Sequence, residues 1–161
     1  MFAEVREIVG DILKDEHFSC SVDLGCGYGE AGSVLHLHTK YLIGVDHDKG
    51  RLEVAGRRGW YKLLIHGDIR TYNPPPEADS LFLFDSLEHI SKEDGVGLLK
   101  KLSWIPFQLI TTPSYFFPLA MNGHMSLWSE KDLTGLGFRT IKKYTGISGL
   151  LFGKRIIALK T

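Results

Sequence analysis

Short apolar runs alternate along this chain with segments in which apolar residues recur at helical spacing. Five of these runs are predicted strands, at residues 21–25, 41–45, 61–65, 80–84 and 107–110. The runs are continuously apolar, as strands are when a sheet is covered on both faces. Helices are predicted within residues 1–18 and at 30–38, 49–58 and 94–103. This alternation predicts an α/β fold with a mainly parallel sheet and helices on both of its faces.

The chain departs from this alternation after the fifth predicted strand. Ser129 and Asp132 can cap a helix over residues 130–136. Two further strands are predicted at 139–144 and 155–160, joined by a glycine-rich turn. Because the connection is so short, these two strands must pair antiparallel.

Length and composition fit one folded domain spanning residues 1–161. Hydrophobic residues make up 43% of the chain, which excludes a disordered protein. Basic and acidic residues both number 19, which argues against a nucleic-acid binder that relies on bulk charge. No apolar run approaches the ~18 residues that span a bilayer, and the N-terminus lacks a signal-peptide pattern. Cys20 and Cys26 lack CxxC spacing, so we expect a reduced, cytoplasmic protein without a disulfide framework.

Acidic residues and glycines gather where the predicted strands end. The first strand runs into the glycine-rich segment 23–29, and the next three end at Asp46, Asp68 and Asp85. Ligands of open α/β sheets bind outside the carboxyl ends of the strands. Glycines let a ligand approach the backbone closely, and a carboxylate can accept both hydroxyls of a ribose. These strand ends therefore predict a site for an adenosine-like ligand.

The glycines can be read in two registers. Gly27, Gly29 and Gly32 match GxGxxG, the fingerprint of nicotinamide and flavin enzymes. A second pattern, acidic-x-Gly-x-Gly-x-Gly, begins at Asp23 inside the strand end. A carboxylate there would repel a dianionic pyrophosphate, but it tolerates a ligand with a positive centre and an amino group. The second register is therefore favoured over a nicotinamide site.

Residues 22–29 resemble the glycine-rich motif of class I S-adenosylmethionine-dependent methyltransferases of the broad small-molecule type. The order of the other strand ends agrees, so the resemblance covers the chain from about residue 21 to 160. It implies a Rossmann-like sheet of seven strands with the last strand inserted antiparallel, which fits the two late strands. It also implies S-adenosylmethionine as cofactor and S-adenosylhomocysteine as product.

The same resemblance assigns roles to the strand ends. Asp23 would lie by the methionine end, and Asp46 would take the ribose hydroxyls. Asp68 would accept from the adenine amino group, with the Ile69 N–H reaching a ring nitrogen. The implied cofactor contacts are Asp23, Gly25, Cys26, Gly27, Gly29, Asp46, His47, Asp68, Ile69, Asp85 and Ser86.

The acceptor half of the resemblance is less specific. Residues 85–90, Asp-Ser-Leu-Glu-His-Ile, are similar to the motif that follows the fourth strand in many small-molecule members. These residues do not match the Asn/Asp-Pro-Pro-aromatic motif, which is usual in methyltransferases that act on nucleobase or glutamine amino groups. We therefore expect a small-molecule acceptor and an in-line SN2 transfer, promoted by alignment and by exclusion of water.

His124, Asp85 and His89 are the candidate catalytic bases. Each has a structural alternative, since a loop histidine is often only a satisfied polar residue and Asp85 can satisfy N–H groups at a helix start. Glu88 and His89 together offer only two metal ligands, so no metal is expected.

The long aromatic stretch 115–128 is predicted to be a lid or acceptor loop. Tyr115, His124 and Trp128 are its candidate substrate contacts. Its aromatic residues fit a core or dimer contact equally well.

Several alternatives stay open at this point. The small acceptor region also fits a non-catalytic, cofactor-binding subunit that stabilises an active partner. RNA and protein acceptors stay open as well, because residues 139–160 carry six Lys and Arg and no acidic residue, although such charge also protects sheet edges. A homodimer or a partner subunit could complete the pocket, and no membrane contact is expected.

Overall fold

The computed structural model describes residues 3–114, 123–145 and 154–161. The chain divides into two compact units, residues 1–84 and 85–161. The first unit contains helices α1 (Ala3–Leu13), α2 (Gly32–Leu35) and α3 (Lys49–Arg58), and strands β1 (Phe18–Leu24), β2 (Thr39–Asp46), β3 (Leu63–His66) and β4 (Ser80–Phe84). The second contains a 3-10 turn (Leu87–His89), helices α4 (Lys92–Lys101) and α5 (Glu130–Thr134), and strands β5 (Phe107–Pro113), β6 (Arg139–Thr145) and β7 (Lys154–Lys160).

The strands form one seven-stranded sheet in the order β3-β2-β1-β4-β5-β7-β6. β1 pairs parallel with β2 and β4, and β2 pairs parallel with β3. β7 lies between β5 and β6 and runs antiparallel to both. The predicted α/β class and the antiparallel insertion of the last strand are therefore confirmed.

The burial of the central strands accounts for their apolar sequences. All residues of β4 and β5 are buried, and Ser19 is the one exposed residue of β1. Strands covered on both faces need no polar alternation, so apolar residues occur on both faces of these strands, together with a few buried polar ones such as Ser80 and Gln108. β3 differs because it is an edge strand: Leu63 and His66 are exposed, and Tyr61, which was predicted to open this strand, lies outside it.

The helix predicted at residues 30–38 is much shorter in the structure. α2 has only four residues. At its two ends, N–H groups donate to the carbonyl three residues earlier: Val34 to Ala31, and Leu37 to Val34. Three-residue turns of this kind replace the helical ladder at the ends of short helices. The pattern of apolar residues did not reveal this early stop.

Side-chain caps begin three of the helices. Asp48 accepts from the Arg51 N–H at the start of α3, and Ser91 accepts from the Asp94 N–H at the start of α4. α5 begins with the predicted capping box between Ser129 and Asp132. Within the described residues, none of the helices has the length and apolar character needed to cross a membrane.

Candidate functional site

In the first unit, the loop after β1 is hydrogen-bonded to the end of β2. The N–H groups of Gly25 and Cys26 donate to the carbonyl of Val45 at 2.8 and 3.1 Å. The N–H of Gly27 donates to Oδ2 of Asp46 at 2.8 Å. The glycine-rich segment and the acidic strand end, which the sequence separates by 19 positions, therefore meet at one place.

Asp46 is buried and both of its carboxylate oxygens accept backbone hydrogen bonds. Its Oδ1 accepts from the Asp48 N–H at 2.9 Å, and the side chain is 4% exposed. Each carboxylate oxygen can accept a second hydrogen bond, so the predicted acceptance of ribose hydroxyls fits this geometry. His47 points outward, with its side chain 79% exposed and Nδ1 lying 3.6 Å from Oδ1 of Asp46.

Two of the loop glycines have different surroundings. Gly27 has a φ of +54°, and a Cβ built there would meet nothing within 4 Å. This open space beside a backbone N–H fits the close approach of a ligand. At Gly29, a Cβ would lie 2.9 Å from the Ala55 Cβ and 3.1 Å from the Tyr61 ring, so this glycine is also required for packing.

Asp23 is buried at the end of β1 and is held by Tyr61. The Tyr61 hydroxyl donates to Oδ2 of Asp23 at 2.6 Å. Burial raises the pKa of Asp23 to about 7, because the charged carboxylate loses its hydration and the Tyr61 hydrogen bond offsets only part of that cost. The Tyr61 ring lies against Gly32 and Gly44, where an added Cβ would approach within 2.6 and 2.7 Å of its carbon atoms.

The sequence reasoning missed Tyr61 because it was interpreted only as a strand residue. No local pattern indicates this role, because Gly29, Gly32 and Gly44, which leave room for the ring, are distant from Tyr61 in the sequence. Cys26, also at this strand end, is buried, and burial raises the pKa of its thiol, so it is neutral.

Asp68 and Ile69 follow β3, the edge strand. The Asp68 carboxylate accepts from the backbone N–H of Arg70 and from its guanidinium, with the Nε at 2.9 Å from Oδ2. These hydrogen bonds hold the pKa of Asp68 below its usual range. The side chain is 38% exposed, and both of its oxygens accept from Arg70.

In the second unit, Asp85 has a strained backbone. Its φ is +52°, and among the described residues it is the non-glycine residue whose backbone lies in the left-handed region. Its Oδ1 pairs with the Arg155 guanidinium and accepts from the Thr111 hydroxyl at 3.3 Å. Ser86, the next residue, is 5% exposed. Strain of this kind is found most often at functional positions.

Glu88, His89 and His124 lie together in this unit. Burial raises the pKa of Glu88 to about 8, with a further contribution from the negative charge of Asp85. Burial also lowers the pKa of His124, and the positive charge of Arg155 lowers it further. The rings of His89 and His124 meet edge to face, with their centroids 5.0 Å apart. In the sequence, Glu88 and His89 were considered together and His124 in a separate segment, so this cluster of three was not predicted.

Trp128 has no exposed surface. Its Nε1–H donates to the Ser126 hydroxyl at 3.0 Å, and the Lys92 ammonium lies 3.9 Å from the ring centroid. A Cβ on Gly95 would lie 2.4 Å from the ring, so α4 packs directly on it. These contacts favour the core alternative for Trp128. Tyr115 and most of the predicted lid, residues 115–122, lie outside the described residues, as does the glycine-rich turn at 146–153.

The comparisons with known proteins agree with this architecture. The methyltransferase domain family matches residues 22–103. The structure of YcgJ from Bacillus subtilis aligns with 98% of this chain and 97% of its own, at 12% identity and a TM-score of 0.78. N-methyltransferase NodS from Bradyrhizobium japonicum aligns with 98% of this chain and 93% of its own, at 15% identity and a TM-score of 0.79.

Magnesium protoporphyrin IX methyltransferase (ChlM) from Synechocystis, solved with bound S-adenosylhomocysteine, is also similar. It aligns with 98% of this chain and 82% of its own, at 14% identity and a TM-score of 0.76. Among curated protein sequences, none matches significantly. The predicted fold of class I S-adenosylmethionine-dependent methyltransferases is thus confirmed, and the chain belongs to the methyltransferase domain family.

Proposed function

We propose that this protein binds S-adenosylmethionine at the strand ends of its first unit and transfers the methyl group to a small-molecule acceptor. S-adenosylmethionine is the cofactor of this fold family. The observation that carries the proposal is the hydrogen bond from Gly27 N–H to the Asp46 carboxylate, which joins the glycine-rich loop to the acidic end of β2. One adenosyl ligand accounts for both features, because glycines admit it and a carboxylate binds its sugar.

The residues of the first unit fit the parts of this cofactor. Asp46 would take the ribose hydroxyls on the lone pairs that the backbone does not use. The open space beside Gly27 would admit the ligand to the loop. Asp68 and the Ile69 N–H would face adenine, with Asp68 sharing its acceptor edge with Arg70. His47, exposed beside Asp46, is a further predicted contact.

When bound, S-adenosylmethionine would supply an activated methyl group: an acceptor lone pair would bond to the methyl carbon as the carbon–sulfur bond breaks and its electrons return to sulfur. Any acceptor proton would pass to a base and from there to bulk solvent. The protein's part is to align the acceptor and keep water away. Asp85, His89 and His124 stay predictions for a base. Asp85 is paired with Arg155, whereas the lowered pKa of His124 favours a neutral imidazole that can accept a proton.

Two measurements test the proposal in sequence. Thermal melting with S-adenosylhomocysteine should raise the Tm, whereas a nicotinamide nucleotide should not. Methyl-labelled S-adenosylmethionine is then incubated with the protein and with small-molecule, RNA or protein fractions of a cell extract. We expect protein-dependent label in the small-molecule fraction.

Other outcomes would overturn parts of the proposal. Label in RNA or protein would correct the acceptor class. Cofactor binding without label in any fraction, together with co-purification of a stable partner, would favour the non-catalytic subunit. Failure to bind S-adenosylhomocysteine would remove the proposal itself.

A further inference from the structure

Three potential metal ligands converge in the second unit. Glu88, His89 and His124 each offer one ligand atom, and these atoms all lie within 4.8 Å of one another. Ligand atoms around an ion bound at ~2.1 Å are about 3–3.5 Å apart, so small side-chain adjustments would close the set. Sequence analysis expected no metal because it considered only the adjacent pair Glu88 and His89. The third ligand comes from a residue 35 positions after His89.

Backbone hydrogen bonds hold the two segments together. The carbonyl of Glu88 accepts from the N–H groups of Met125 and Ser126, at 2.7 and 3.2 Å. The Ser126 hydroxyl, in turn, donates to the carbonyl of Leu87 at 3.1 Å. His124 precedes these residues directly, so its position beside Glu88 is fixed by the fold and not by the imidazole alone. A rigid support of this kind is what a ligand set requires.

The hydrogen bonding of His89 also suits a metal ligand. Its Nδ1 lies 3.4 Å from the carbonyl oxygen of Gly123. A carbonyl can only accept, so this contact places the proton on Nδ1 and leaves the Nε2 lone pair available. Metal-bound histidines commonly make such a contact through the second ring nitrogen, since it fixes the tautomer and the ring orientation.

A cation at this place would lie beside a buried carboxyl group. Glu88 is 1% exposed, and its Oε2 accepts a 3.2 Å hydrogen bond from the Thr112 hydroxyl. The Arg155 guanidinium pairs with Asp85 in the same unit. A dication held between Glu88 and the two imidazoles would place positive charge in direct contact with this carboxylate.

We propose that Glu88, His89 and His124 form a binding site for one divalent first-row transition metal ion, such as Zn²⁺ or Mn²⁺. Two imidazoles and one carboxylate favour these ions over Mg²⁺ and Ca²⁺, which prefer oxygen ligands. Three protein ligands leave further coordination positions for water or for an oxygen of an acceptor. The site lies wholly within the second unit, so the inference goes beyond the proposed function and does not depend on cofactor binding.

The test uses the full chain after treatment with a chelator. Co²⁺ is titrated and followed by its visible absorption, and Zn²⁺, Mn²⁺ and Mg²⁺ are titrated by calorimetry. We expect one Co²⁺ per chain and weaker binding of Mg²⁺ than of Mn²⁺. Glu88→Gln and His124→Gln should each weaken Co²⁺ binding at least about tenfold. His17→Gln, which removes an exposed imidazole in the first unit, should leave the titration unchanged.

Two results would overturn the proposal. One is the absence of a Co²⁺ spectrum at millimolar metal, and the other is Co²⁺ binding that the Glu88 and His124 variants leave unaltered. Glu88→Gln preserves the size of the side chain and an oxygen that can accept from the Thr112 hydroxyl, so it should fold, and far-ultraviolet circular dichroism checks this. Binding of S-adenosylhomocysteine is measured separately on the same samples, which distinguishes loss of the metal site from failure of the proposed function.

Discussion

The hydroxyl of Tyr61 donates a 2.6 Å hydrogen bond to Oδ2 of Asp23, a carboxyl that is 1% exposed at the end of β1. The ring that carries this hydroxyl packs against Gly32 and Gly44, which leave the room that a side chain would fill. Part of the glycine-rich sequence therefore serves to place a tyrosine on a buried acid, in addition to any contact with a ligand.

This pairing predicts how stability depends on pH. The pKa of Asp23 is about 7 in the folded state, against an ordinary value of 3.8. The folded state binds this proton more tightly than the unfolded state, so the contribution of Asp23 to the free energy of unfolding falls as pH rises from about 4 to about 7. The slope is at most about 1.4 kcal/mol per pH unit. Urea unfolding across this range, compared between the wild type and Asp23→Asn, measures it.

Asp23→Asn should remove the fall in the free energy of unfolding between pH 4 and pH 7, because its amide does not titrate. Tyr61→Phe should extend the decline to higher pH, since the hydrogen bond that holds the pKa of Asp23 down is gone. Parallel stability curves for wild type and Asp23→Asn between pH 4 and 7 would contradict the assignment.

Two glycines of α4 make a matched pair for a packing prediction. At Gly95 an alanine Cβ would lie 2.4 Å from Cζ2 of Trp128, whereas at Gly97 it would meet nothing within 4 Å. Gly95→Ala should lower the free energy of unfolding by about 1–3 kcal/mol, because the buried ring must shift. Gly97→Ala should raise it by about 0.5–1 kcal/mol through helix propensity. Chemical denaturation of both variants checks the signs, and equal effects would place Trp128 elsewhere.

A second pair of glycine variants distinguishes the effect of backbone strain on stability from an effect on ligand binding. Gly27 and Gly59 have φ values of +54° and +73°, and both have open space where a Cβ would stand. Alanine at either position should cost about 1 kcal/mol of stability, since the left-handed conformation disfavours a side chain. Calorimetry with S-adenosylhomocysteine should show weaker binding, by about tenfold, for Gly27→Ala alone. Equal affinities for the two variants would remove Gly27 from the cofactor loop.

Much of the fold was predictable because the signals are local. α3 and β4 were predicted at their observed bounds, since the charged helical stretch 49–58 and the apolar run 80–84 mark them in the sequence itself. The number of strands and the antiparallel insertion of the last one followed from the resemblance, whereas the strand order was not predicted. α2 was predicted too long, because hydrogen bonding in tight turns leaves no mark on the apolar pattern.

The site was only partly predictable. Asp46 and the glycine-rich loop could be expected to meet, because parallel strands end at a common edge and one ligand needs both. The Tyr61–Asp23 hydrogen bond and the Glu88, His89 and His124 cluster depend on side chains distant in sequence, so no local pattern indicated them. Arg155, which pairs with Asp85, was assigned only to a basic strand for the same reason.

The central claim is that Asp46 and the glycine-rich loop bind an adenosyl cofactor, and calorimetric titration with S-adenosylhomocysteine tests it most directly. Asp46→Asn removes one of the two oxygens that accept from the backbone, whereas Asp48→Asn makes the same chemical change two residues away and keeps the α3 cap. We predict one site of micromolar affinity in the wild type and in Asp48→Asn, and binding weaker by roughly 1.5–3 kcal/mol in Asp46→Asn. Absence of binding in the wild type, or equal affinities for the two variants, would contradict the account.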